Sequence, residues 1–277
     1  MSFARFVPAF VLAASSSVFA SDPWADRVVF YSAGFGAQPD YLTPSVVLGS
    51  PERMTGEISP FGPFPGAVTP FNPAFGTDEV VSVGLGGALV VAFDEPIVDD
   101  PMNPFGLDLI IFGNAGFIDE SFIDPEVAVG TTTPDGALFG RGRGSAVDVS
   151  ADGSTWFRLN GSVDGLYPTL GYSDLSDPYA ANPGLVPSDF TRPVDPGLSP
   201  GSMSFPQLVA AYNGSGGGTG FDIASSGLAS ISFIRVSNIS LVSATFEVEA
   251  FADVSPVPAP AAGVLMAMGM AMFRRRR

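Results

Sequence analysis

The chain has 277 residues, with 28 acidic against 12 basic and a net charge of −16 at neutral pH. It holds no histidine and no cysteine, and every basic residue is an arginine. These absences exclude Ser-His-Asp and Cys-His nucleophiles, lysine dyads and Schiff bases, disulfides, and zinc on imidazole or thiolate, leaving carboxylate chemistry or oxygen-bound metal.

Met1 to Ala20 carries one basic residue, Arg5, then an apolar run from Phe6 to Ala14. It ends on Val18-Phe19-Ala20, with small residues where a signal peptidase reads. Pro8 and the Ser15-Ser16-Ser17 run argue against a buried helix. The expectation is a signal helix over 1–20, removed by signal peptidase after Ala20, and an exported protein.

Residues 21–254 are enough for one large β domain with a full core. This part holds all 28 acidic residues against seven arginines, about −21. Such a surface repels nucleic acid and anionic lipid and attracts divalent cations.

Arg27 to Tyr31 is a short β-prone run. Residues 32–78 are dense in Gly, Pro and Phe, which predicts long loops with one short element near Ser45 to Leu48. Their phenylalanines are expected to pin the loops onto the domain. Val80–Val83 and Ala88–Phe93 read as strands, and Gly84-Leu85-Gly86-Gly87 as a tight turn joining them. Leu107 to Phe112 is apolar on both faces apart from Asp108, as in a central strand. Asp152-Gly153 between 146–150 and 155–159 predicts a hairpin.

A Gly/Pro/Ser/Asp-rich stretch from Gly161 to Gly227 predicts loops. Ser230–Val236 and Ala244–Phe251 are the last strands. In the second, Phe246, Val248 and Ala250 are expected inside, with Glu247 and Glu249 outside. Long helices are expected only at the two ends of the chain. The pattern predicts an all-β domain, a jelly-roll-like β-sandwich with long Gly/Pro-rich loops over 21–254.

From 255 the chain has three parts: a proline cluster ending in Val257-Pro258-Ala259-Pro260, thirteen uncharged residues from Ala261 to Phe273, and Arg274-Arg275-Arg276-Arg277. A helix of that apolar length spans roughly 20 Å, short of the ~30 Å hydrocarbon core. With its flank it is a weak anchor in the inner membrane, its arginines held on the cytoplasmic side.

This layout resembles the PEP-CTERM sorting signal of Gram-negative bacteria that make exopolysaccharide, with Ala259 where that signal has Glu. The resemblance implies recognition and removal of the tail by an exosortase-type enzyme. It implies residence at the cell surface or in the extracellular matrix, after transient anchoring in the inner membrane.

A further resemblance rests on Val83–Gly87, Gly106–Asn114, Val147–Gly153 and Gly220–Ala224. They look like bacterial surface proteins whose core is similar to the galactose-binding-like sandwich of discoidin-type modules. That resemblance implies a non-catalytic module binding extracellular polysaccharide through loops at one end of the sandwich. Tyr167, Tyr172 and Tyr179 are the candidate sugar-stacking residues. Trp156 is expected in the core.

Calcium is the candidate structural ion, since it takes six to eight oxygens from carboxylates and carbonyls. Asp94, Asp99, Asp100, Asp108, Asn114 and Asp222 stand near strand ends and are its candidate ligands. The plainer reading has Asp108 and Asp222 capping loop amides. Two other classes of function stay open. A carboxylate-pair glycan hydrolase or lyase would use Asp119-Glu120 and Asp124/Glu126, with Arg141 and Arg143 for substrate. A purely structural coat protein would use none of these residues.

Overall fold

The computed structural model describes residues 22–119, 130–131, 145–163, 167–200, 203–240 and 245–254. The expected signal helix and the sorting tail, with Val257 to Pro260 and Arg274 to Arg277, lie outside the described residues. So do Glu120, Asp124, Glu126, Arg141 and Arg143.

The strands are β1 (Arg27–Ser32), β2 (Met54–Thr55), β3 (Gly66–Ala67), β4 (Val81–Val83), β5 (Ala88–Val98), β6 (Leu109–Gly113) and β7 (Ile118–Asp119). They continue as β8 (Gly130–Thr131), β9 (Ser145–Ser150), β10 (Phe157–Arg158), β11 (Thr219–Phe221), β12 (Ser230–Asn238) and β13 (Phe246–Asp253). One sheet runs β1-β5-β12-β9-β10, a second runs β11-β6-β13-β4, and β2-β3 and β7-β8 form two-stranded ribbons. Strand neighbours in the two large sheets are antiparallel.

The two large sheets pack face to face. Val81, Val83, Leu109, Ile111, Phe246 and Phe251 of the smaller sheet share one core with Leu89, Val91, Val147, Val149, Ile234 and Val236 of the larger. Full burial of such a side chain stabilises by roughly 1.5–3 kcal/mol. The chain is an all-β sandwich, as expected.

The tight turn at Gly84–Gly87 forms, with Gly87 N donating to Gly84 O at 2.8 Å. It does not join a hairpin: β4 pairs with β13 in one sheet, while β5 pairs with β1 and β12 in the other. The glycines form a corner between sheets. There the backbone at Ser32–Ala37 approaches too closely for side chains, with Gly84 N donating to Ala33 O at 2.6 Å and Phe35 N to Leu85 O at 2.9 Å. A period-2 apolar pattern is the same in a hairpin and across such a corner.

The Asp152 hairpin forms, pairing Phe157 with Val149 and Arg158 with Asp148. Asp152 Oδ1 accepts from Ser154 N and Thr155 N, each at 2.8 Å. Those backbone donors hold its carboxyl well below the usual carboxylate range. Trp156 is half-buried rather than core, with the Arg235 guanidinium 4.4 Å from its ring centroid. Arg235 and Arg158 both pair with the buried Asp148 across the outer face of the sheet.

The other face of the smaller sheet is covered too. The register of β13 shifts between Val248 and Ala250. One extra residue inverts the alternation. Phe251 therefore returns to the inner core, while Ala250, expected inside, joins Ile110, Phe112, Ala252 and Phe190 outside. Above them lies a third layer of loops. Its own core has Phe71, Phe117, Leu170, Val194, Phe205, Leu208 and Tyr212, with Phe71 and Phe117 rings 5.9 Å apart.

This layer contains an element the composition hid, helix α1 (Phe205–Tyr212). Gln207 Oε1 accepts from Ser204 N at 2.9 Å, the return half of a capping box. Phe205, Leu208 and Tyr212 are its buried residues, at helical spacing. The element near Ser45 is a 3-10 turn, Pro44–Val47. Not every loop phenylalanine pins a loop: Phe71 is buried, while Phe35, Phe61 and Phe64 are well exposed. Among the described residues no helix is long and apolar enough to cross a membrane.

Candidate functional site

Strand ends bring three of the predicted carboxylates together. Asp99 follows β5, Asp108 precedes β6 and Asp222 follows β11, and their side-chain oxygens lie within 4.8 Å of one another. Asp108 is fully buried and organises the loop between β5 and β6. Its Oδ1 accepts from Asp100 N and Asn103 Nδ2, each at 3.0 Å, and its Oδ2 accepts from Ile223 N at 3.1 Å. Asp222 Oδ1 accepts from Ala224 N at 2.8 Å and caps a 3-10 turn. Both residues therefore cap loop amides, and Asp100 does the same for Met102 N.

Burial raises the Asp108 carboxyl above the ordinary carboxylate range, against the pull of its donors. Burial, then the charge of Asp108, raises Asp253 at the end of β13 to about 6. Among the described residues no arginine pairs with Asp99, Asp108 or Asp222.

Two predicted ligands stand elsewhere. Asp94 lies within β5 and pairs with Arg27 at the start of β1. Asn114 follows the far end of β6, roughly 20 Å along an extended strand from Asp108. Asn103 went unrecognised. It is 6% exposed, and its Oδ1 is buried without a hydrogen-bond partner. Its one sequence cue is Asn-Pro in a turn beside two aspartates. The same loop holds Phe105 at φ 61°, left-handed for a bulky residue.

The loop layer forms a second site. An open groove of about 470 Å³ runs between Ser173–Ser176 and the face of α1 that carries Pro206, Val209 and Ala210, closed by Asn213 and Gly214. Its lining mixes hydroxyl, amide and carboxylate groups with apolar surface. Tyr172 precedes it and Tyr179 follows it on the same loop. Tyr172 is half-buried, 5.9 Å from the Arg53 guanidinium, and Tyr179 is 38% exposed. Tyr167 packs in the loop-layer core, and its hydroxyl donates to Leu198 O at 2.9 Å. Burial raises its phenol.

Beneath the loops lie two glutamates whose alternation placed them outside. They do leave the inner core, but Glu247 is 9% and Glu249 2% exposed because the loop layer covers them. Glu249 accepts from Glu52 N at 2.8 Å and Thr169 Oγ1 at 3.1 Å. Burial pushes its carboxyl up to about 8, and Glu79 and Glu52 add to the rise. Burial pushes Glu247, bonded by Ser82 Oγ, up to about 7. Glu79 accepts from Thr55 Oγ1, Phe75 N and Gly76 N, stapling two loops together. Neither Glu247 nor Glu249 lines the groove. No protein-family model matches the chain, and no curated protein matches it as a relative.

Proposed function

We propose that the protein is an exported, non-catalytic component of the bacterial cell surface or extracellular matrix, which binds extracellular polysaccharide through the groove beside the Tyr172–Tyr179 loop. The groove carries this reading. It is open, and sugars present both hydroxyls for Ser173, Ser176, Asn213 and Asp174 and CH faces for the apolar side of α1. The absence of histidine, cysteine and lysine supports a binding role over catalysis. The terminal segments support export by signal peptidase and an exosortase-type enzyme. The finer architecture we propose is a jelly-roll-like, galactose-binding-like sandwich.

Retention of the full-length protein on the producing organism's extracellular polysaccharide tests the reading. The wild type is expected to bind saturably. Ala210 is exposed on the helix side of the groove. Ala210→Glu keeps a good helix former and places a charge in the sugar's path. It is expected to weaken retention about tenfold, a 1.4 kcal/mol effect, with an unchanged melting temperature. Absence of retention by the wild type overturns the reading in favour of a coat protein.

A further inference from the structure

We infer that Asp99, Asp108, Asp222 and the side-chain oxygen of Asn103 form a calcium site that clamps the loops at one end of the sandwich, independently of any glycan. Three acidic residues alone would not carry this, because exposed carboxylates gather without an ion. The second observation is Asn103. Its Nδ2 donates to Asp108 Oδ1 at 3.0 Å, which holds the amide against a member of the cluster. The Oδ1 of the same amide is a buried acceptor with no donor. Leaving such a group unpaired is destabilising, and a bound cation removes that cost.

The free lone pairs agree. Asp99's carboxylate accepts none of the hydrogen bonds found among the described residues, while its backbone N–H ties to Ala229 O at 3.0 Å. Asp222 uses Oδ1 for its cap and leaves Oδ2 open. Asp108 Oδ2 accepts only one bond, from Ile223 N, and keeps a second lone pair. These are four oxygen donors, three of them charged. Water and loop carbonyls would complete the shell.

The donor set suits calcium, which takes six to eight oxygens from carboxylates, amide and backbone carbonyls and water in flexible geometry, whereas magnesium demands a near-ideal octahedron and keeps several of its waters. One oxygen from each aspartate lies within 4.8 Å of the others, close enough to share one such ion. Asp99 and Asp108 stand at the two ends of the β5–β6 connection and Asp222 follows β11, so the ion would tie both sheets together at this end.

The test is calorimetric titration of calcium chloride into chelator-treated full-length protein at ~0.15 M salt, where the diffuse attraction of an acidic surface is screened. Melting curves in about 10 mM calcium and in chelator accompany it. The expected result is one ion per chain, with Kd of ~10⁻³ M or tighter, and a melting temperature several degrees higher in calcium. Asp99→Asn is expected to weaken binding at least tenfold and to melt like the wild type in chelator. Asp222→Asn serves as the second variant and should weaken binding similarly. Asp94→Asn, which removes only the partner of Arg27, should bind like the wild type. No binding, or Asp99→Asn and Asp222→Asn both binding like the wild type, overturns the proposal. Equal weakening by Asp94→Asn overturns it as well, because it reports surface charge and no site.

Discussion

Glu249→Gln is expected to raise the melting temperature by roughly 10 °C at pH 9 and to leave it unchanged at pH 4.5. Glu249 is 2% exposed, and burial pushes its carboxyl up to about 8, with Glu79 and Glu52 contributing. In the unfolded chain the same group ionises near 4.3. Between those two values the folded state binds more protons than the unfolded one. Stability therefore falls as pH rises from about 4.5 to about 8 and levels off above that. Glu247, pushed up to about 7, adds to the fall in the same direction.

At 1.36 kcal/mol per pKa unit, the ionised Glu249 costs on the order of 3–5 kcal/mol. A domain of this size shifts by roughly 2–4 °C per kcal/mol. The amide keeps both contacts, because its oxygen can accept from Glu52 N and its nitrogen can donate to Thr169 Oγ1. Melting curves of the two proteins from pH 4.5 to 9 check this. Curves that stay parallel across the range would show that Glu249 is not charged and buried in the native state.

Gly34→Ala is expected to destabilise by roughly 2–5 kcal/mol, against roughly 1–2 kcal/mol for Gly86→Ala. Gly34 has φ +77°, and a Cβ there would stand 2.4 Å from Gly84 O and 2.5 Å from Gly87 N. Both are backbone atoms of the corner between the sheets, so neither can rotate away. The left-handed conformation alone costs ~1–2 kcal/mol, and forced overpacking adds ~1–3 kcal/mol. Gly86 has φ +71° with open space around it, so only the backbone cost applies. Urea titrations of both variants separate the two effects. Equal losses would mean that the corner is not as tightly closed as its hydrogen bonds indicate.

The strands of the sandwich were legible because β-branched runs such as Ala88–Phe93 and Ser230–Val236 have few other places to go. Their assignment to sheets was not. Glycines at 84, 86 and 87 suit a turn within a hairpin and a turn at a close-packed corner equally. What decides is the backbone of residues 32–37, some fifty positions away in sequence. Glu247 and Glu249 were placed on the correct side of β13 yet given the wrong environment. Local alternation says which face a side chain leaves by, but not that a loop layer waits there.

Helix α1 was hidden by the Gly- and Pro-rich segments on either side, although Ser204 and Gln207 carry its start signal. At the carboxylate cluster, proximity to strand ends picked out Asp99, Asp108 and Asp222, which do meet. It could not tell which end of the sandwich an aspartate occupies, so Asp94 and Asn114 were grouped with residues they do not meet. Asn103 lacked a charge to draw notice, and only its orphaned oxygen marks it.

The exported surface role is tested most directly by cell fractionation of the producing organism, with intact mass of the protein recovered from each fraction. The protein is expected in the surface or matrix fraction, beginning at Ser21 and shortened near Pro258-Ala259-Pro260. Recovery from the cytoplasm at the full 28.6 kDa, with Met1 and Arg277 both present, would contradict export and the polysaccharide reading with it.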